Sequence, residues 1–172
     1  YVNDVSDTLP ADNIASIDKS QHTQNPLLEQ YRLFWSDLVS DLQLDDPDQP
    51  MANPVAKGNI FFALPPSFAT AWITLYFSKA SSEVGCFARL ARNEDGVFLY
   101  EGLKDDAEAI ESEIPFKIRW DNTGHRIITT KSIKTDWPPV NDSEVKDFFQ
   151  KAVNSFVNAF RPRLEKLSEQ GL

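Results

Sequence analysis

The last third of the chain carries the pattern that most limits its fold. Val145, Phe148, Phe149, Ala152, Val153, Phe156, Val157 and Phe160 recur at three- and four-residue spacing. On a helix they make one continuous apolar stripe. A stripe so rich in phenylalanine needs a broad apolar partner, and the face of a β-sheet supplies one. Residues 58–91 have the composition for such a sheet. "NIFFAL", "TAWITLYF" and "EVGCFARLA" are rich in β-branched and aromatic residues, and Pro65-Pro66 and Ser81-Ser82 separate them. In the second run Ala71, Ile73, Leu75 and Phe77 share one face, while Trp72, Thr74 and Tyr76 share the other. Apolar groups on both faces predict a strand covered twice, or an aromatic interaction surface built on Trp72 and Tyr76.

The remaining elements follow from local signals. Asn25-Pro26 predicts a helix start, with Asn as the cap and Pro at the first helical position. Leu27, Leu28, Tyr31, Phe34, Trp35, Leu38 and Leu42 then give it one apolar face. Residues 93–113 read as a single helix capped by Asn93. Phe116, Ile118 and Trp120 alternate with Lys117 and Arg119, as in a half-buried strand. "DNTG" predicts a three-residue hairpin loop with Gly124 left-handed, which sets Ile118 opposite Ile128 and Arg119 opposite Ile127. Asn141 and Glu144 read as a capping box for the last helix, and Pro162 predicts its kink or end near Phe160. The expected fold is α+β: a largely antiparallel sheet of about five strands covered by helices, in the order α-β-β-β-α-β-β-α. Residues 25–172 form the expected single domain. Residues 1–24 read as a polar linker or tail that follows an upstream domain, and Tyr rather than Met stands at position 1.

Charge is unevenly placed. The chain is formally −9, and residues 1–56 alone hold ten acids against two bases. Residues 115–134, in contrast, hold Lys117, Arg119, Arg126, Lys131 and Lys134 beside one acid, Asp121. With the predicted register, Lys117, Arg119, His125 and Lys131 share one hairpin face, and Arg126 joins the apolar face at its open end. These residues are the candidate nucleic-acid-binding set, because phosphate contacts need basic side chains on a rigid surface. The overall acidity argues against nonspecific nucleic-acid binding.

Several chemistries find no support. His125 is the only histidine in the expected domain and has no evident nucleophile beside it. Cys86 sits mid-strand and reads as a buried structural residue. One Cys and two distant His do not make a zinc set, and the acidic loop 44–54 lacks the Gly and terminal Glu of a calcium loop. The Glu144-Val145-Lys146 triplet, the one match to a nuclease acid-x-Lys, falls in a helix rather than a strand. There is no glycine-rich phosphate loop. No catalytic residue, metal or cofactor is expected. No apolar run is long enough to span a bilayer, and one cysteine fits a cytoplasmic setting.

Four segments run in order: "RLFW", "VFLYEGLKDDAEAIESEI", "FKIRW" and "FVNAFRPRLEKL". Together they resemble a bacterial domain-of-unknown-function family found at the C-terminal end of restriction-nuclease-like proteins. The resemblance implies an accessory, non-catalytic module of a bacterial defence or nucleic-acid-processing protein, with the nuclease motifs upstream. Two partner classes are expected from this point. One is a nucleic-acid backbone held by the 115–134 hairpin; the other is a protein or a second copy of the chain, bound through Trp72 and Tyr76 or through the Phe-rich last helix.

Overall fold

A computed structural model of the chain describes residues 25–172. The polar segment 1–24, including His22, lies outside the described residues. The elements are α1 (Pro26–Asp41), β1 (Asn59–Ala63), β2 (Ala71–Ser78), β3 (Glu83–Leu90), α2 (Glu94–Lys104), α3 (Ala107–Glu113), β4 (Arg119–Asp121), β5 (Arg126–Ser132) and α4 (Ser143–Gly171). The five strands pair in the order β1-β2-β3-β5-β4, and every pair is antiparallel. The α+β architecture is the one the periodicities predict, with the expected 93–113 helix split into α2 and α3.

Alternation sorts the sheet into two faces. The inner face presents Ile60, Phe62, Ile73, Leu75, Phe77, Val84, Cys86, Ala88 and Ile127, all buried against the helices. The α4 stripe fills this space: Phe149, Phe156 and Phe160 are fully enclosed. Aromatic edges lock the helices to the sheet, with Phe77 within 5.5 Å of Phe149 and 5.1 Å of both Phe34 and Trp35. Trp35 also donates from Nε1 to the carbonyl of Lys57 at 2.8 Å, tying α1 to the approach of β1. The buried apolar side chains of all four helices belong to this one cluster.

Local chemistry explains the helix ends. Asn25 caps α1 through its Oδ1, which accepts from Leu27 N–H, and Pro26 occupies the first turn as expected. Asn93 caps α2 by accepting from Gly96 N–H at 2.9 Å. At Asp105-Asp106 the chain turns: Asp106 N–H bonds back to the carbonyl of Leu103, three residues earlier. That turn re-aims α3 so that Ile110 is buried and Glu113 meets α4. Arg163 of α4 holds the result, reaching Asp106 at 2.6 Å and Glu113 at 2.7 Å.

Two expectations about α4 are corrected. Its cap is Asp142, whose carboxylate accepts from Glu144 N–H at 2.9 Å, not Asn141. Pro162 lies inside the helix, which runs on to Gly171. The ring points to solvent, and on either side of it Phe160 and Leu164 are fully buried. Burial of those neighbours, with the Arg163 ion pairs, outweighs the one hydrogen bond that Pro162 cannot donate.

The hairpin register is also corrected. Arg119 pairs with Ile128, Trp120 with Ile127 and Asp121 with Arg126. The left-handed residue is His125, at φ 51°, and no described glycine has a positive φ. The loop therefore spans Asn122–His125, one residue longer than "DNTG" predicts, and the pairing slips by one. Asp121 enforces this turn, with Oδ1 accepting from Thr123 N–H at 3.2 Å and Gly124 N–H at 3.1 Å. Gly124 is needed here for space: a Cβ would sit 2.5 Å from Asp121 Oδ2.

Candidate interaction surface

A one-residue slip exchanges the faces of a strand's partners, so it decides what the sheet presents opposite the helices. Registers across all five strands give rows on this outer face. One row reads Ala63, Trp72, Arg89, Arg126, Asp121. The next reads Phe61, Thr74, Phe87, Ile128, Arg119, and a third reads Asn59, Tyr76, Gly85, Thr130. The face is thus an aromatic band with arginines at the β3-β5-β4 side.

Packing within the band is close. Tyr76 lies over Gly85, where a Cβ would come within 2.3 Å of the Tyr76 ring, and meets Phe87 edge-on at 5.6 Å. Tyr76, Phe87 and Ile128 form a small cluster separate from the main core. Phe68, from the β1–β2 connection, bridges Phe61 at 6.4 Å and Trp72 at 6.2 Å. The Arg126 guanidinium sits 5.5 Å above the Phe87 ring. Burial pushes the Tyr76 hydroxyl well above its ordinary pKa, with Glu83 adding to the rise, so this phenol stays protonated.

The predicted basic residues divide between the two faces. Arg119 and Arg126 lie on the outer face; Lys131 points inward, opposite Val84, and reaches Glu144 of α4 at 3.8 Å. His125 turns toward the helices, its ring 5.2 Å from Tyr100 of α2. Tyr100 in turn donates to Asn122 at 2.8 Å, and burial with nearby Asp121 pushes its pKa up to about 12. Lys117 is exposed ahead of β4. The five-residue basic cluster is therefore not one surface. Instead, Arg119 and Arg126 join Trp72 and Tyr76, which the sequence offers as a separate candidate.

Arg126 is itself bound. Its Nε and NH2 both reach Asp121 Oδ2 at 2.9 Å. Burial raises the Asp121 carboxyl, but bonds from Gly124, Arg126 and Thr123 outweigh it and hold the group below its ordinary pKa. Lys117 and Arg119 make no ion pair within 4.0 Å among the described residues. The missed residue is Arg89, directly opposite Arg126 and only 3% exposed. The alternation of "EVGCFARLA" puts Arg89 on the Phe87 face, which is the signal that was there to find.

Burial pushes the Cys86 thiol pKa well up, and its side chain faces the core, far from thiolate reactivity. Among the described residues no group of three or more His, Cys, Asp or Glu is placed to hold a metal ion. Among them, too, no helix is long and apolar enough to cross a membrane. The outer face carries an aromatic band with guanidinium groups on its β3-β5-β4 side. Trp72 Nε1 and Thr74 Oγ1 on this face are both buried without a hydrogen bond. No family model, curated protein or solved structure matches the chain.

Proposed function

We propose that this chain is a non-catalytic binding module that docks an extended, acidic polypeptide on the helix-free face of its sheet. The observation that carries this reading is the register that unites Trp72 and Tyr76 with Arg89, Arg119 and Arg126 on one face. An extended chain offers carboxylates and apolar side chains in turn, which suits an aromatic band beside guanidinium groups. The setting the sequence resemblance implies, an accessory domain in a bacterial defence or nucleic-acid-processing protein, is compatible with such a role.

One observation favours the nucleic-acid alternative: Lys117 and Arg119 are exposed cations without a carboxylate partner among the described residues. Against it stand the net charge of −9 and the capture of Arg126 and Lys131 by Asp121 and Glu144. Titration of the full chain with a peptide of alternating Asp and Val, and separately with an oligo-dT strand, distinguishes the two. The peptide is expected to shift the Trp72 indole signal in an NMR spectrum, and Arg119→Gln is expected to weaken it. Oligo-dT binding that falls steeply with salt, with Trp72 unmoved by the peptide, refutes the peptide reading.

A further inference from the structure

The two edges of the sheet are built differently. β4 is three residues long, carries exposed Arg119 and follows exposed Lys117, and such charges keep an edge strand from pairing with another chain. β1, at the other edge, is the five-residue run "NIFFA", without a charge, a proline or a break in its register with β2. Residues 49–70 around it hold a single charge, Lys57, in a chain of net −9. We infer that β1 is a self-association edge, pairing antiparallel with β1 of a second copy of this chain across a two-fold axis at Phe61. The inference is independent of the peptide-docking reading of the outer face.

Backbone direction is the first argument. Phe77 N–H donates to the Gly58 carbonyl and Leu64 N–H to the Ala71 carbonyl, so the even-numbered residues of β1 bond to β2. Phe61 and Ala63 therefore turn their N–H and C=O groups away from the sheet. Gln49 marks that direction, because its Nε2 donates to the Ala63 carbonyl at 2.7 Å from beyond the edge. That bond uses one lone pair of the carbonyl and leaves both backbone groups of Phe61 without a partner among the described residues. An antiparallel copy centred on Phe61 lets the two Phe61 residues exchange N–H···O=C bonds, a pairing that a strand can make with itself. Met51 and Val55, on the loop that joins Gln49 to Gly58, are 46% and 36% exposed and add apolar area beside the edge.

Charge complementarity is the second argument, and it selects a second copy over an unrelated strand. Lys57 and Asp48 are both exposed, and neither makes an ion pair within 4.0 Å among the described residues. Lys57 stands just ahead of β1, while Asp48 adjoins Gln49, which sits on Ala63 at the far end of the strand. Within one copy the strand holds them about 20 Å apart, six steps of ~3.3 Å. A two-fold axis at Phe61 reverses the second strand and carries each Lys57 to the end where Asp48 of the second copy stands. One isologous contact then brings two pairs of opposite charges together.

Sedimentation equilibrium of the full chain, over about 10 μM to 1 mM, reads the association. The mass is expected to rise from one chain to two. Lys57→Glu and Asp48→Lys are each expected to weaken dimerisation about tenfold or more, and the two together to restore it. The single changes move the net charge in opposite directions, so weakening by both separates the paired contact from overall repulsion. Both side chains are exposed, so the fold is kept. Over the same concentrations the Phe61 amide is expected to exchange with deuterium more slowly as the dimer forms. The amides of Ile60 and Phe62, already bonded to β2, are expected to stay unchanged. A mass of one chain at every concentration overturns the inference. So does a dimer that ignores either charge reversal, one that the double change fails to restore, or one whose Phe61 amide exchanges as in the monomer.

Discussion

Asp121→Asn isolates the contact that sets the hairpin and holds Arg126 in the outer face. The amide keeps an oxygen to accept from Thr123 and Gly124, so the turn survives, while the charge facing Arg126 is lost. A charge-assisted hydrogen bond contributes about 1.5–3 kcal/mol on deletion. Both partners are largely buried, with side chains 22% and 16% exposed, so little of that is lost to screening. A loss of about 2 kcal/mol at neutral pH is expected, which moves a urea midpoint by about 1 M for a protein of this size. The deficit must depend on pH. The folded carboxyl has a depressed pKa, so its contribution is complete above the unfolded value near 4 and fades as pH falls through the lower folded value. Urea melts of both chains, followed by tryptophan fluorescence, are expected to differ at pH 7 and to converge as the pH is taken below the unfolded carboxyl value. A deficit of only a few tenths of a kcal/mol at neutral pH, or one undiminished in acid, refutes the reasoning.

Three further outcomes follow from the packing. Gly96→Ala is expected to cost more than about 2 kcal/mol in denaturant melts, because its Cβ would come within 1.8 Å of the Ala91 carbonyl oxygen. Pro162→Ala is expected to raise stability by about 1–3 kcal/mol, since the ring is solvent-facing and the substitution restores a helix hydrogen bond to Asn158. Cys86 is expected to resist a thiol reagent in the native chain and react at the unfolding rate, because burial blocks it and keeps it a thiol.

Periodicity carried the fold a long way. The α4 stripe, the two-faced β2 strand and the Asn25 and Asn93 caps are each visible in single segments, because each depends on neighbours within a turn or a pleat. The candidate surface was legible only in halves. Trp72 and Tyr76 follow from alternation, but their union with Arg126 depends on the β3–β5 pairing and with Arg119 on hairpin register. The hairpin register turns on whether Gly124 or His125 takes the left-handed conformation. Propensity favours glycine; the Asp121 side chain, bonded to the amides of Thr123 and Gly124 and to Arg126, decides otherwise. Lys131 is lost from the surface because the β3–β5 pairing sets it opposite Val84 on the inner face, and His125 because it takes the left-handed position in the loop. The helix break at Asp105-Asp106 and the persistence of α4 through Pro162 both depend on Arg163, a contact between residues about fifty apart in sequence. Such long-range ion pairs leave no local signature.

The register of β4 on β5 bears most directly on the account, because it brings Arg119 to the aromatic face beside Arg126. Nuclear Overhauser effects between backbone protons of the two strands read it without any substitution. Cross-peaks joining Arg119 to Ile128 and Trp120 to Ile127 are predicted. Cross-peaks joining Ile118 to Ile128 and Arg119 to Ile127 would contradict the account and return Arg119 to the opposite face.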